Sequence, residues 1–179
     1  MMRWLLLWMA LAQASGSTPE AFVTRFYAVY IKEHSSGLFL EGNAQRVLRP
    51  LLSKRLRRQL DDAVACQADW VRQQPKGTTD KPPFVDCCLF ASDLDGMPTS
   101  FKLGPTKVLR DGGYQITVDF VRKERADLIK SRNAVVVIKE DGRFAVDDLV
   151  YEPDTASTDT GRLSNGFQEC RGRRWIGGA

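Results

Sequence analysis

Histidine is nearly absent from this chain: His34 is the only one in 179 residues. A serine or cysteine nucleophile needs a base beside it, so any triad would rest on that one imidazole. His34 stands in the polar stretch His34-Ser35-Ser36-Gly37, just past a helical pattern, where a cation suits the helix dipole. Glycine-rich phosphate loops are missing, because Gly112-Gly113 joins two strand patterns and opens no helix. There is no C-x-x-C pair, which removes the usual zinc spacings. No apolar run reaches the roughly 20 helical residues that span a hydrocarbon core, and no internal repeat is visible. Neither a cofactor nor a metal is expected.

The N-terminus carries an export pattern. Arg3 precedes the short apolar run Trp4-Leu5-Leu6-Leu7-Trp8-Met9-Ala10-Leu11-Ala12, and small residues follow through Ala14 to Ser17. A positive charge, an apolar stretch and an A-x-A site are the parts of a secretory signal peptide. Residues 1–14 are read as that segment, with cleavage after Ala12 or Ala14. The first cysteine is Cys66, so no lipid anchor on a processed N-terminal cysteine is expected. The mature chain should be soluble, periplasmic or secreted, with no membrane insertion after cleavage.

Charge is mildly basic. There are 26 Lys and Arg against 22 Asp and Glu, a formal net of +4. Basic residues gather at Lys54-Arg55-Leu56-Arg57-Arg58 and at Arg171-Gly172-Arg173-Arg174. Nucleic-acid sites interleave such residues with aromatics on one face. Here the first cluster backs an apolar helix stripe and the second lies in a glycine-rich tail, so no nucleic-acid partner is expected.

Four cysteines, Cys66, Cys87, Cys88 and Cys170, allow three disulfide connectivities in an exported chain. Direct neighbours rarely pair, because the bridge strains the peptide between them. The expectation is therefore that Cys66 bonds to one of Cys87 and Cys88, and Cys170 to the other.

The hydrophobic pattern is helical first and alternating later. Phe22, Val23, Phe26, Tyr27, Val29 and Tyr30 form one helical face, opened by Ser17 or Thr18 as cap. Leu52, Leu56, Leu60, Val64 and Ala68 recur every four residues within a second stretch from about Arg49 to Gln73, which Ser53 can divide by capping a fresh helix. Residues 74–83 read as a loop. From Ser100 the period becomes two. Ser100–Arg110 is a strand broken by Gly104-Pro105, Tyr114–Phe120 a half-buried strand, and Asn133–Glu140 a more buried one. Asp141-Gly142 turns tightly into Arg143–Tyr151. The layout is α+β: N-terminal helices packed on one face of a curved antiparallel four-stranded meander. Residues 17–152 form the single domain. Residues 153–170 are a linker with a short helical turn through Leu163, Phe167 and Cys170, and 171–179 a basic flexible tail.

Three carboxylate pairs stand out: Asp61-Asp62, Asp93 with Asp95, and Asp147-Asp148. The first diverge on a helix, and the second sit in a turn with too few oxygen neighbours for calcium. Asp147 and Asp148 are expected on opposite faces of a strand, which would bring Asp148 toward the helix-covered side. Tyr27, Tyr30 and Asp148 are thus the residues that could line a pocket. A tyrosine and a buried carboxyl are the parts used in enolisation chemistry. Loops 74–83 and 126–132 are the expected contact regions.

Several segments carry a resemblance. Ala21 to Tyr30, Leu48 to Leu56, Pro83 to Asp93 and Glu140-Asp141-Gly142-Arg143-Phe144-Ala145-Val146-Asp147-Asp148-Leu149-Val150-Tyr151 occur in that order. Over residues 19–170 the chain resembles an uncharacterised family of bacterial exported proteins and lipoproteins, placed with the nuclear-transport-factor-2-like (cystatin-like) cone folds. Members often carry tryptophan where Phe144 stands. The resemblance implies the fold and export, and it carries no catalytic residue over to this chain. Exported proteins of this kind resemble immunity proteins, which neutralise a toxin delivered by a neighbouring cell. The expected function is a non-catalytic periplasmic binding or inhibitor protein with a protein partner, in its sharpest form an immunity protein. The alternative is a small-ligand carrier or isomerase-like enzyme using the cone interior.

Overall fold

A computed structural model describes residues 18–33, 42–75, 77, 80, 81, 88–91, 96–125, 127–151, 161–167, 170, 171 and 173–176. The expected export segment lies outside them. Helix α1 spans Pro19–Glu33. Thr18 opens it: its Oγ1 accepts from the Ala21 N–H at 3.2 Å and its carbonyl from the Phe22 N–H at 3.0 Å, while Ser17 lies outside the described residues. Pro19 then takes the first helical position, where a missing N–H costs nothing. The Glu20 carboxylate accepts from the Thr106 hydroxyl at 2.6 Å, which joins the start of α1 to the sheet and holds Glu20 below its ordinary pKa.

Helix α2, Gly42–Leu48, was not expected from the sequence. It runs into a 3-10 turn at Arg49–Leu51 that contains Pro50. The expected Arg49–Gln73 helix is interrupted at Leu52-Ser53, and α3 spans Lys54–Gln73. Ser53 caps it, its hydroxyl accepting from the Leu56 N–H at 3.0 Å. The break has a purpose in the fold. Leu52 bridges Val146 in parallel, and the Ser53 N–H donates to the Val146 carbonyl at 2.8 Å.

Four antiparallel strands follow as a meander in the order β1-β2-β3-β4: Ser100–Val108, Tyr114–Glu124, Asp127–Glu140 and Arg143–Tyr151. The architecture is therefore α+β, helices before a four-stranded sheet, as expected. Gly104-Pro105 falls at the register shift between Leu103 and Thr106, where an irregularity was read from the sequence. Asp141 and Gly142 both have positive φ, 50° and 77°, as a two-residue hairpin turn requires. Strand β3 begins six residues earlier than its valine run. Residues 127–132, expected as part of a contact loop, pair residue by residue with β2 from Glu124↔Asp127 to Asp119↔Arg132. Their sequence, Asp-Leu-Ile-Lys-Ser-Arg, places its two apolar residues side by side, without alternation, so apolar pattern alone did not mark a strand that backbone pairing to β2 defines.

Phe22, Val23, Phe26, Tyr27 and Tyr30 of α1 pack on Ile116, Val118 and Phe120 of β2, Val135 and Val137 of β3, and Val146 and Leu149 of β4. Leu163 and Phe167 join the same core. The short helix α4, Leu163–Gly166, therefore belongs to the domain body. Cys170 departs from the expected helical turn with Leu163 and Phe167, and residues 171 and 173–175 depart from the expected flexible tail. Cys170–Arg171 (β5) pairs with Arg174–Trp175 (β6), and this hairpin lies on α3. The Cys66–Cys170 disulfide, an Arg173–Asp62 ion pair at 3.0 Å and a Trp175 N–H bond to Asp69 at 3.1 Å hold it there.

Because a disulfide that closes a long loop removes unfolded-state entropy, Cys170→Ser should lower stability by about 2–5 kcal/mol. Urea unfolding of the oxidised protein measures it. A midpoint equal to wild type would mean the hairpin contributes no clamp.

Candidate functional site

The register of β3 and β4 slips at one point. Val136 pairs with Asp148 and Val137 with Val146, so Asp147 is the extra residue of a bulge. A bulge shifts the alternation of the strand by one. Before it, Phe144 and Val146 pack on the core, and after it Leu149 and Tyr151 do. Asp148 is thereby turned off the core face, which corrects the expectation that one aspartate of the pair would face the helices. Nor do the two carboxylates point apart: Arg55 forms ion pairs with both, at 2.5 Å to Asp147 and 3.8 Å to Asp148.

Both carboxylates sit at the outer edge of β4, between two segments that cover it. On one side are Leu52 and Ser53 against Val146. On the other the Tyr151 N–H donates to the Gly161 carbonyl at 2.9 Å, and Val150 bridges Arg162. Asp147 Oδ1 accepts from the Ser53 hydroxyl at 2.6 Å, while its carboxylate takes the Arg55 Nε. That contact holds the Arg55 guanidinium above its ordinary pKa, through the hydrogen bond to Asp147 first. Asp148 is 1% exposed. Its Oδ1 accepts from the Leu149 and Ser164 N–H groups at 2.9 and 3.1 Å, and its Oδ2 from the Ser164 hydroxyl at 2.7 Å and Arg162 Nη1 at 3.3 Å. A carboxylate with two donors on each oxygen has no lone pair left for a substrate proton. This arrangement fastens the sheet edge and is badly placed for acid–base work.

The two tyrosines do come together. Their ring centroids are 6.3 Å apart, and Phe26, Phe90, Phe101 and Phe120 surround them. Tyr27 meets Phe120 at 5.0 Å and Phe101 at 5.6 Å, and Tyr30 meets Phe90 at 5.6 Å. Such tilted and edge-on pairs are the favoured aromatic geometry in cores. Complete burial pushes the Tyr27 hydroxyl well above its ordinary pKa, helped by Tyr30 and Tyr151 nearby, so it stays protonated at neutral pH. The set Tyr27, Tyr30 and Asp148 is thus divided: two residues inside the core and one locked at the outer edge of β4.

The remaining expectations resolve unevenly. Cys66 pairs with Cys170, which overturns the connectivity through Cys87 and Cys88. The reason is the hairpin at residues 170–175, which follows α3 and carries Cys170 to Cys66. Cys88 is buried with its Sγ 3.5 Å from Met97 Sδ, and Cys87 lies outside the described residues. So do His34, Asp93 and Asp95. Asp61 and Asp62 diverge as expected, to Arg49 at 2.6 Å and to Arg173 at 3.0 Å. Ser53, Arg55, Arg162 and Ser164 were not foreseen as Asp147 and Asp148 partners. Their only sequence signal was the capping position of Ser53.

The fold and these sites define an α+β domain with a disulfide-clamped C-terminus. No protein-family model, curated protein or solved structure matches it. Among the described residues, no helix is long and apolar enough to cross a membrane.

Two outcomes follow from this geometry. Asp148→Ala strands the Leu149 and Ser164 donors beside two arginines, and should cost about 3–5 kcal/mol, as does breaking a buried ion pair. Asp148→Asn should cost less, and equal stability of all three proteins in urea would refute the edge-lock role. Asp69 is held below the ordinary aspartate pKa, chiefly by Arg72 and then by the Trp175 N–H. A depressed carboxylate stabilises above its unfolded pKa and loses that contribution as pH falls through its folded value. Protection of the Trp175 amide, its exchange rate relative to the intrinsic rate at the same pH, should therefore fall in acid, below about pH 4, and hold in mild base. Asp69→Asn should abolish that acid step.

Proposed function

We propose that this chain is a non-catalytic binding protein of the bacterial envelope whose partner is a protein, most specifically a toxin that it neutralises. The observation that carries this reading is the full engagement of Asp147 and Asp148. The carboxylates best placed for chemistry are consumed in holding the edge of β4. The buried tyrosine expected beside them, Tyr27, is protonated and packed in the core apart from them.

Export is supported by the signal-like N-terminus and by the Cys66–Cys170 bridge, since disulfides persist in oxidising compartments. The resemblance to uncharacterised exported proteins of the nuclear-transport-factor-2-like superfamily points the same way, although fold by itself does not assign function. A helical layer, a sheet and a clamped C-terminal hairpin make a rigid body. Pre-organised surfaces suit inhibition because little ordering entropy is lost on binding.

The test is competition between sibling cells. A strain lacking the gene should be killed by toxin-delivering wild-type neighbours and rescued by a plasmid copy. The Cys170→Ser copy should rescue less well. Survival of the deletion strain equal to wild type would sink the immunity reading.

A further inference from the structure

The β2–β3 hairpin extends beyond both of its neighbours in the sheet. Pairing of β1 with β2 ends at Ser100↔Val121, and pairing of β4 with β3 begins only at Asn133↔Tyr151. Residues 122–124 and 127–129 therefore pair only with each other among the described strands. On the β4 side, the free length of residues 127–132 is about 20 Å at roughly 3.3 Å per residue. The arm is fastened at its root, where the Thr99 N–H and hydroxyl both donate to the Val121 carbonyl, at 2.8 and 3.0 Å.

Its outer face is cationic. Val118 and Phe120 face the core, so Asp119, Val121 and Lys123 face away from it. The register sets Lys102, Asp119 and Arg132 in one row across three strands, Ser100, Val121 and Lys130 in the next, and Lys123 with Leu128 in the last. Lys107 stands further along β1 on the same face. These five bases less Asp119 carry a formal charge of +4, equal to that of the entire chain. Asp119 pairs with Arg132 at 2.5 Å, whereas Lys102, Lys107, Lys123 and Lys130 have no carboxylate partner among the described residues. The basic cluster of α3 is different. Lys54 is held by Asp141, Arg55 by Asp147 and Asp148, and Arg57 donates to the Ser53 carbonyl. Among the lysines of the arm, Leu128 is 62% exposed.

Like charges crowded on one rigid face repel one another, and an opposite surface relieves that repulsion. We propose that the outer face of this arm, Lys102, Lys123, Leu128, Lys130 and Arg132, is where a protein partner docks an acidic surface. The inference rests on the protein-binding reading above and adds the place and the charge of the contact. Other occupants suit the face less well. A second copy would bring like charge against like. Single-stranded nucleic acid stacks its bases on aromatics, and Phe101, Tyr114 and Phe120, the aromatic residues of β1–β3, all pack on the core. A lipid surface takes an apolar face as well as bases, and one exposed leucine does not make one. The Asp119–Arg132 pair gives the face a pattern of both signs, which a complementary protein surface can match and a uniformly anionic one cannot.

The test follows amide resonances of the purified, oxidised protein as a capped peptide of six glutamates around one leucine is added. Shifts should gather at residues 121–123 and 128–132. They should fade as salt shortens the Debye length from about 10 Å at 0.1 M to about 3 Å at 1 M. Lys123→Glu combined with Lys130→Glu should weaken the peptide several-fold, and Leu128→Ala should weaken it less. All three side chains are exposed, so circular dichroism and Tm should stay at wild type. Arg58→Glu combined with Arg174→Glu makes the same charge change away from the arm and should leave binding nearly unchanged. No shift at the arm, or an equal loss in the two double variants, overturns the surface. Tighter binding of oligothymidylate or of phosphatidylglycerol vesicles than of the peptide at matched salt also overturns it, in favour of nucleic acid or a membrane. The competition between sibling cells keeps the two claims apart. A Lys123→Glu, Lys130→Glu copy that protects the deletion strain as fully as wild type sinks the surface and leaves the toxin reading standing. A deletion strain that needs no protection sinks the toxin reading, while the peptide result still decides the surface.

Discussion

The extra residue in β4 decides how the rest of this molecule is arranged. A strand at the margin of a sheet leaves a row of N–H and C=O groups unpaired, and such an edge invites unwanted pairing. Here β4 is that margin, and two segments far apart in sequence cover it, residues 52–53 at Val146 and 161–162 at Val150 and Tyr151. They meet β4 on either side of the bulge. Without the slip at Asp147, Asp148 would point at the helices as an unpaired charge in an aromatic core, a cost no core of this size could absorb. With it, both carboxylates fall in the gap between the covering segments and collect their donors. The start of α3 and the approach to α4 are thus positioned by one register shift.

Magnitudes separate this network from the other ion pairs. Arg72–Asp69 and Lys54–Asp141 are largely exposed on at least one side, and pairs of that kind contribute between nothing and about 1 kcal/mol. Asp148 is different because it is buried and its acceptor capacity is filled by backbone and side-chain donors together. Removing it exposes the donors' desolvation cost, and the pairing itself need not be a large net gain. The network is better understood as specificity for one strand register than as a store of stability. The disulfide acts on a different quantity. It restrains the unfolded chain across 104 residues of sequence separation, leaving the folded contacts of the hairpin to set its orientation on α3.

Much of this fold was legible because local signals agreed with the tertiary result. The aromatic face of α1, the Ser53 cap, the Gly104-Pro105 irregularity and the Asp141-Gly142 turn all express backbone chemistry that any partner would have to accept. What stayed hidden was decided across the chain. Helix α2 buries only Ala44 and Leu48, too few positions to show a period. The first residues of β3, Asp127 to Arg132, show no apolar alternation, and become strand because β2 lies beside them. Cys66 finds Cys170 through a hairpin of four paired residues that no periodicity announces. The orientation of Asp148 was the most consequential miss. Alternation is a sound rule for a regular strand, and adjacent aspartates give no separate sign that the regularity fails between them.

The polar groups of the domain therefore fall into two kinds with opposite meanings. At the outer edge of β4, every oxygen of Asp148 is matched by donors from its own chain, which is what a structural role demands and what a reactive group must avoid. On the inner face, Tyr27 and Ser131 present hydroxyls that find no partner among the described residues, although phenylalanine and alanine would have filled similar volumes without that cost. A core selected for packing alone gains nothing from these oxygens. Each such orphan is a cost that the aromatic packing around it has to outweigh, whereas the filled acceptors of Asp148 carry none.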